Sequence, residues 1–359
     1  MDNNSRISKF SSTLLHWHEH ENFRSYPWRG EKNPYYIWLS EIIMQQTRSE
    51  QGLPYYLKFK THYPTVRDLA LAPMDTVLRD WQGLGYYSRA RNLKATAELI
   101  HTHYNDVFPS TYSEILKLKG VGPYTAAAIA SFAFGEPCAV VDGNVIRVLS
   151  RIFGIEEPFD TGAGKKAFDE KATSLIDKKN PALYNQAIMD FGATVCVPKN
   201  PKCGSCPFSG ACFAYQKEMI DALPFRSKKL TIKNRYFYFL HLESKAGIVL
   251  QQRTTKDIWQ DLWQFPLIEL AAPPKKGIKT ELKKLLPANT AYTIEEEWTH
   301  VQILSHQKIH SRVLRISVPN LKSMLQENWQ FVAKKKLDEF AFPKTLHLYL
   351  TEKKINLGV

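Results

Sequence analysis

Four of the chain's five cysteines, Cys196, Cys203, Cys206 and Cys212, fall in one short stretch with the spacing C-x6-C-x2-C-x5-C. Four thiolates crowded in this way can all reach one metal centre, a tetrahedral zinc or an iron–sulfur cluster, and spacing alone does not choose between the two. Paired disulfides are the other use for such cysteines, but nothing else in the chain looks secreted. Cys138 stands apart and reads as a small buried apolar residue. Two carboxylates are also placed where they could do chemistry. Glu41 lies in Tyr35-Tyr-Ile-Trp-Leu-Ser-Glu-Ile-Ile-Met-Gln-Gln-Thr-Arg48, apolar on nearly every helical face, and projects between Ile37, Trp38 and Met44. A carboxylate there is either paired with an arginine or kept protonated by desolvation, and in the second case it is a general acid tuned toward neutral pH. Asp142 precedes the apolar-periodic run Val145, Val148, Leu149, Ile152 and is placed to cap a helix. A capping carboxylate stays ionised, so it is also available to stabilise a cation. Asn144 is an ordinary first-turn residue of the same helix.

The elements that must position these residues are mostly helical before residue 222. Apolar periodicity predicts helices at Ile7 to Glu21, Tyr35 to Glu50, Thr65 to Ala70, Pro73 to Trp81, Ser88 to Tyr104 and Tyr112 to Leu118. Further helices are expected at Tyr124 to Phe134, Val145 to Phe153 and Pro181 to Phe191. In Leu116-Lys-Leu-Lys-Gly-Val-Gly-Pro-Tyr-Thr-Ala-Ala-Ala-Ile129 a helix ends, Gly120 and Gly122 make a hairpin, and Pro123 opens the next helix. The glycines let backbone N–H groups approach a phosphate, the following helix N-terminus adds positive dipole, and Thr125 comes directly after. This pattern reads as a helix–hairpin–helix element that grips a DNA backbone without reading bases. Beyond it, 222–235 is a basic linker, followed by strands at Tyr236 to Glu243, Gly247 to Arg253, Trp298 to Val301 and His306 to Val318. Helices are expected to interrupt them at Thr280 to Leu286 and Asn320 to Gln326.

At 359 residues the chain is long enough for two or three domains. Its formal charge of +13 is the footprint of a protein that holds a polyanion, although a solvated lysine surface gives the same count. The longest apolar stretch, Thr125 to Phe134, is too short to span a bilayer, and the N-terminus lacks the order of a secretory signal. A cytoplasmic location, nucleoid-associated in a prokaryote, and a monomer without membrane contact are expected.

Taken together, the helix–hairpin–helix, the Val141-Asp-Gly-Asn144 aspartate and the cysteine loop resemble the endonuclease III superfamily of DNA glycosylases. Pro27-Trp28-Arg29, Trp38 to Thr47, Trp81 to Asn92 and Phe191-Gly192 resemble its MutY-type adenine DNA glycosylases, over roughly residues 8 to 215. The resemblance implies a multidomain fold. An all-α catalytic region would occupy 1–221, with a six-helix barrel at about 30–135 and an iron–sulfur part formed by the N-terminal helix and 136–221. A Nudix-like α+β domain would occupy 236–359. It also implies one 4Fe–4S cluster on the four cysteines and excision of adenine opposite 8-oxoguanine or guanine in double-stranded DNA. By family position, Glu41 would protonate adenine and then activate water, Asp142 would stabilise the sugar cation, and Tyr124 and Asn144 would orient Asp142. Gln46 and Tyr86 would enter the duplex while Trp28 and Arg29 wall the adenine pocket. Gly120, Gly122 and Thr125 would hold the DNA backbone.

Tyr124 stands where bifunctional relatives carry a Schiff-base lysine, so strand cleavage should be weak or absent. Thymine-mismatch glycosylases also use tyrosine there, leaving a thymine or oxidised-pyrimidine glycosylase as the rival enzyme. A cluster-bearing DNA-binding module is the rival outside catalysis. Asp257-Ile-Trp-Gln-Asp-Leu-Trp-Gln-Phe-Pro266 resembles the aromatic stretch of the appended Nudix-like module, while the glutamate-rich Nudix catalytic helix is missing. The module is therefore expected to read the lesion through Ser305 and His306. The family usually has phenylalanine before that pair; this chain has Leu304.

Overall fold

The computed structural model describes residues 3–227, 232–244, 247–275, 277–286, 292–318, 321 and 325–355. It divides into two units: 1–70 with 95–229, and 71–94 with 230–359. Among the described residues no helix is long and apolar enough to cross a membrane.

The helices run α1 Asn3–Glu21, α2 Pro34–Met44, α3 Ser49–His62, α4 Val66–Leu71, α5 Met74–Asp80, α6 Ser88–Tyr104 and α7 Tyr112–Ile115. They continue as α8 Pro123–Phe134, α9 Gly143–Phe153, α10 Gly162–Leu175, α11 Pro181–Thr194 and the short α12 Phe213–Gln216. Their starts are written in the sequence. Asn33 caps α2 by accepting from the Tyr35 backbone N–H, with Pro34 in the first turn. Asp142 caps α9 by accepting from the Val145 N–H, and Pro123 and Pro181 open α8 and α11. The core of this unit gathers Phe10, Leu14 and Trp17 of α1 with Val145, Val148 and Leu149 of α9 and Tyr184, Ile188 and Phe191 of α11.

The single long helix expected over Tyr35 to Glu50 is two. α2 stops at Met44, Gln46 turns the chain with φ +53°, and α3 starts at Ser49. Polar Gln45, Gln46 and Thr47 interrupt the apolar run and allow the break. Helices α3, α10 and α12 had no expectation: α3 carries Pro54 inside it, and the lysine-rich α10 buries only Gly164, Phe168, Ala172 and Leu175.

The second unit is built on one sheet. Its strands are β1 Lys233–Glu243, β2 Gly247–Gln252, β3 Trp263–Gln264, β4 Leu267–Leu270, β5 Thr293–Ile303, β6 Gln307–Ser317 and β7 Trp329–Ala333. The path is β3-β2-β1-β6-β5, with β4 pairing β1 and β7 pairing β2. β1 and β6 run parallel through an eleven-residue register from Lys233↔Gln307 to Glu243↔Ser317. Helices α13 Ile278–Leu285 and α14 Lys344–Glu352 accompany the sheet, and Leu282 and Leu286 pack beneath it with Leu240, Val249 and Leu314.

β1 begins at Lys233, inside the segment expected as linker, and Leu223 is buried in the helical core. The helix expected at 320–326 falls mostly on residues outside the described ones. The acidic triplet Glu295, Glu296 and Glu297 lies on β5 and is engaged in ion pairs with Arg315, Lys353 and Arg312.

Candidate active site and DNA-reading elements

α2 and α8 carry Glu41 and Tyr124, and the first turn of α9 supplies Asp142 and Asn144. The Tyr124 hydroxyl donates to Met189 Sδ at 3.3 Å and lies close enough to Glu41 to act on its titration, and Asp142 lies within electrostatic reach of both groups. Burial pushes the Glu41 carboxyl up to about 7; the Tyr124 hydroxyl opposes that rise and the Asp142 charge adds to it. Asp142 is also raised by burial, against the pull of hydrogen bonds from Val145 and Asn144 and the charge of Arg147. The pair therefore holds one carboxyl near half-ionisation at neutral pH beside a second one that its helix N-terminus favours as an anion.

Asp142 is held from two sides. The Val145 N–H donates to Oδ1 at 2.8 Å and the Asn144 Nδ2 to Oδ2 at 2.8 Å. Asn144 is itself fixed by Arg147, whose Nη2 donates to Asn144 Oδ1 at 2.9 Å and to the Gly192 carbonyl at 2.6 Å. A side chain at Gly192 would bring its Cβ to 2.7 Å from the Asn144 Cβ, so glycine is what lets α11 press on this turn. Arg147 Nε donates to the Cys196 carbonyl at 2.7 Å. Arg151, buried next to it, donates to the Val197 and Pro198 carbonyls at 2.8 and 3.1 Å and lies 3.7 Å from Cys196 Sγ.

Glu41 opens into a cavity of about 470 Å³ that is also lined by Trp28, Arg29, His18 and Gln186. Trp28 stacks on Tyr26 at 4.8 Å and meets Tyr56 edge-on at 5.5 Å. A flat aromatic wall beside a protonatable carboxyl suits a flat heterocyclic base with ring nitrogens.

The four cysteines line one small cavity of about 20 Å³ together with Arg151 and Phe191. Among the described residues no three of His, Cys, Asp or Glu converge closely enough to hold a single metal ion. Burial raises the Cys203, Cys206 and Cys212 thiols, Cys206 to about 11, and each is raised further by other cysteines of the set. The donor chemistry fits a thiolate-bound centre, since the buried guanidinium groups of Arg147 and Arg151 alongside offset the charge that four thiolates bring.

The residues expected on the DNA separate. Gly120 turns the hairpin at φ +77°, and Gly122 N-caps α8 with open space around it. Thr125 is instead 2% exposed, and its hydroxyl accepts from Gln45 Nε2 at 3.3 Å, so it braces α2 against α8 from inside. Gln46 and Tyr86 are both exposed and both sit at positive φ, +53° and +46°, where non-glycine residues are rare. Tyr86 belongs to the segment that clusters with the sheet. There its hydroxyl hydrogen-bonds Ser305, while Gln82, Tyr87 and Arg91 bind Phe342 and Gln260 backbone groups. Ser305 and His306 form the exposed tip between β5 and β6, closed by Leu304 N–H to the Gln307 carbonyl at 2.8 Å. Arg147 and Gln186 carried no local sequence signal, and the hint at Asp190 is an acid four residues after a glutamine on a largely apolar helix.

Residues 39–176 match the model of the HhH-GPD superfamily of base excision DNA repair proteins, and 237–352 match that of the NUDIX domain. The helical unit with its hairpin and paired carboxyls is thus of the base-excision glycosylase class. A thermostable thymine-DNA glycosylase of known structure is similar, 33% identical with a TM-score of 0.56, over 60% of this chain and 98% of that one. An adenine DNA glycosylase of Buchnera aphidicola subsp. Baizongia pistaciae is 37% identical over 262 residues, 72% of this chain and 73% of its own. One from Mus musculus is 39% identical over 368 residues, 87% of this chain and 71% of its own. The chain belongs to the adenine DNA glycosylase family, whose members remove adenine from DNA in base excision repair.

Proposed function

We propose that the chain removes adenine mispaired with 8-oxoguanine or guanine by hydrolysis alone, leaving the strand uncut. The observation that carries the chemistry is Glu41, raised to about 7 and lining an aromatic-walled cavity, with Tyr124 and Asp142 close enough to act on its charge. Adenine leaves poorly as an anion. Glu41 in its acid form gives a proton to the purine N7, the C1′–N9 bond breaks with its electron pair going to the base, and the sugar becomes an oxocarbenium ion. Ionised Asp142 faces that charge, held by Val145 and Asn144. Water then adds to C1′ and passes its proton to Glu41, which restores the acid. With tyrosine rather than an amine at 124, no imine with the sugar forms.

The cysteine loop is proposed to hold one 4Fe–4S cluster on Cys196, Cys203, Cys206 and Cys212. When bound, it supplies a rigid thiolate-anchored centre that fixes the loop against Arg147 and Arg151. Ser305, with His306 beside it, is proposed to read the lesion, whose N7–H and C8 carbonyl guanine lacks. Base release from duplexes containing A·8-oxoG, A·G, T·G and thymine glycol tests the reading. Adenine release from the first two with no release of thymine or its glycol is expected; preferential thymine release would replace it with the thymine-glycosylase reading.

A further inference from the structure

Arg235, near the start of β1, is 7% exposed, and all five of its N–H donors are taken. Nε and Nη2 hold Glu269 of β4 at 2.7 and 2.8 Å, and Nη1 and Nη2 hold Asp257 in the loop after β2. The fifth bond runs to the hairpin that carries Ser305 and His306: Nη1 donates to Gln307 Oε1 at 2.9 Å. Buried Arg253 donates to the same Asp257, so two guanidinium groups and two carboxylates balance in charge. The Arg235 guanidinium also lies over the Phe237 ring, 4.8 Å from its centroid.

Gln307 opens β6 directly after the two exposed residues of the tip. Its backbone carbonyl closes the turn onto the Leu304 N–H, and the His306 carbonyl accepts from the Lys233 N–H at 2.9 Å. Those backbone bonds set the register. The Gln307 side chain adds a link from the foot of the tip to elements that are not its strand neighbours, β4 and the loop at Asp257. An arginine only donates, so it takes the amide oxygen and sets the orientation of that side chain. A hydroxyl reader on a short tip gains from such a hold, because freedom lost beforehand is not lost again on meeting the base.

We infer that Arg235 is a positioning residue for lesion discrimination: through Gln307 it fixes the tip of Ser305 and His306 before the duplex arrives. The inference rests on the reading of Ser305 as the residue that meets the lesion. Arg235 itself, with every donor committed to the protein, has none left for DNA.

The test is single-turnover adenine release, at saturating protein, from A·8-oxoG and A·G duplexes, read as the ratio of the two rates. Gln307→Met removes the acceptor and leaves Arg235 on both carboxylates. It should lower the ratio by about two- to fivefold, within the range of one lost hydrogen bond, at an unchanged melting temperature. Gln307→Glu keeps an acceptor for the guanidinium and should keep the wild-type ratio. Arg235→Lys, without the fork that spans two carboxylates and an amide, should lower the ratio at least as far as Gln307→Met. If it fails to fold, the Gln307 variants decide. In a Ser305→Ala background, Gln307→Met should lower the ratio no further.

An unmoved ratio in Gln307→Met or in folded Arg235→Lys, or equal slowing on both duplexes, overturns the inference and leaves the network a purely structural one. So does a fall that persists in the Ser305→Ala background, which would make Gln307 a reader in its own right. An equal fall in Gln307→Glu and Gln307→Met overturns it too, since the acceptor for Arg235 is then not what matters. If Ser305→Ala itself leaves the ratio unmoved, the reading at the tip goes and this inference with it. If Ser305→Ala lowers the ratio and Gln307→Met does not, only the positioning role is lost.

Discussion

Asn144 holds Asp142 with one end of its amide and Arg147 with the other: Nδ2 donates to Asp142 Oδ2 at 2.8 Å while Oδ1 accepts from Arg147 Nη2 at 2.9 Å. A cation cannot be placed directly on Asp142 without neutralising the charge that the sugar needs. Routing the arginine through a neutral amide orients the carboxylate and leaves it an anion. Asn144→Ser should therefore slow adenine release by about ten- to a hundredfold, the range of lost electrostatic positioning, with DNA affinity little changed. A loss of affinity with no change in the single-turnover rate would mean that Asn144 serves only the fold.

The Glu41 carboxyl, pushed up to about 7, sets both rate and stability against pH. Its acid form does the work, so release should fall about tenfold per unit well above pH 7. Asp142 must be ionised, and because burial raises it, the acidic limb should lie above the ordinary aspartate range. For stability, the folded chain binds the Glu41 proton more tightly than the unfolded chain. Stability is greatest below the unfolded carboxyl value and declines as pH rises from there through about 7. Glu41→Gln removes that decline and should stabilise the protein at pH 8 by roughly 1–3 kcal/mol, and far less at pH 5. Equal melting temperatures of the two proteins at both pH values would contradict the raised carboxyl.

Tyr124→Lys tests the hydrolytic reading from the other side. An amine next to Glu41 and Asp142 is within reach of the same sugar carbon, so a borohydride-trappable covalent adduct with DNA should appear. Absence of an adduct in a folded, DNA-binding variant would show that residue 124 does not face the sugar.

Tyr86 and Ser305 share a hydrogen bond inside the second unit, so a residue proposed to enter the duplex and one proposed to read the lesion are coupled. Ser305→Ala should narrow the rate gap between A·8-oxoG and A·G by about three- to tenfold, and Tyr86→Phe should narrow it partly, with a non-additive double variant. An unchanged gap would remove the serine from lesion reading, with Leu304 in place of the family's phenylalanine as the first suspect.

The helical order, the hairpin and the place of the sheet were legible because periodicity, capping residues and glycines are local signals. Glu41 stood out for the same reason, as one carboxylate in an apolar helix. The break at Gln46 was not visible, since a single residue at positive φ leaves no period behind. Thr125 follows the hairpin glycines in sequence, but helical geometry turns it inward to Gln45. Arg147 and Gln186 are ordinary polar residues in their own helices, and their roles come from α9 and α11 meeting other elements. Tyr86 clusters with residues more than two hundred positions away, a pairing no local pattern carries.

Purified protein should be yellow-brown with about four irons per chain, and Cys203→Ser should lose folding yield and DNA affinity before chemistry. A colourless, fully active protein holding one zinc would contradict the cluster.

The central claim is that Glu41 is the acid that releases adenine, and single-turnover release from a defined A·8-oxoG duplex tests it most directly. Wild-type protein should release adenine without cutting the strand, and Glu41→Gln should fall by at least about a hundredfold while still binding the duplex. Adenine release by Glu41→Gln at close to the wild-type rate would contradict it and leave Glu41 a buried structural carboxylate.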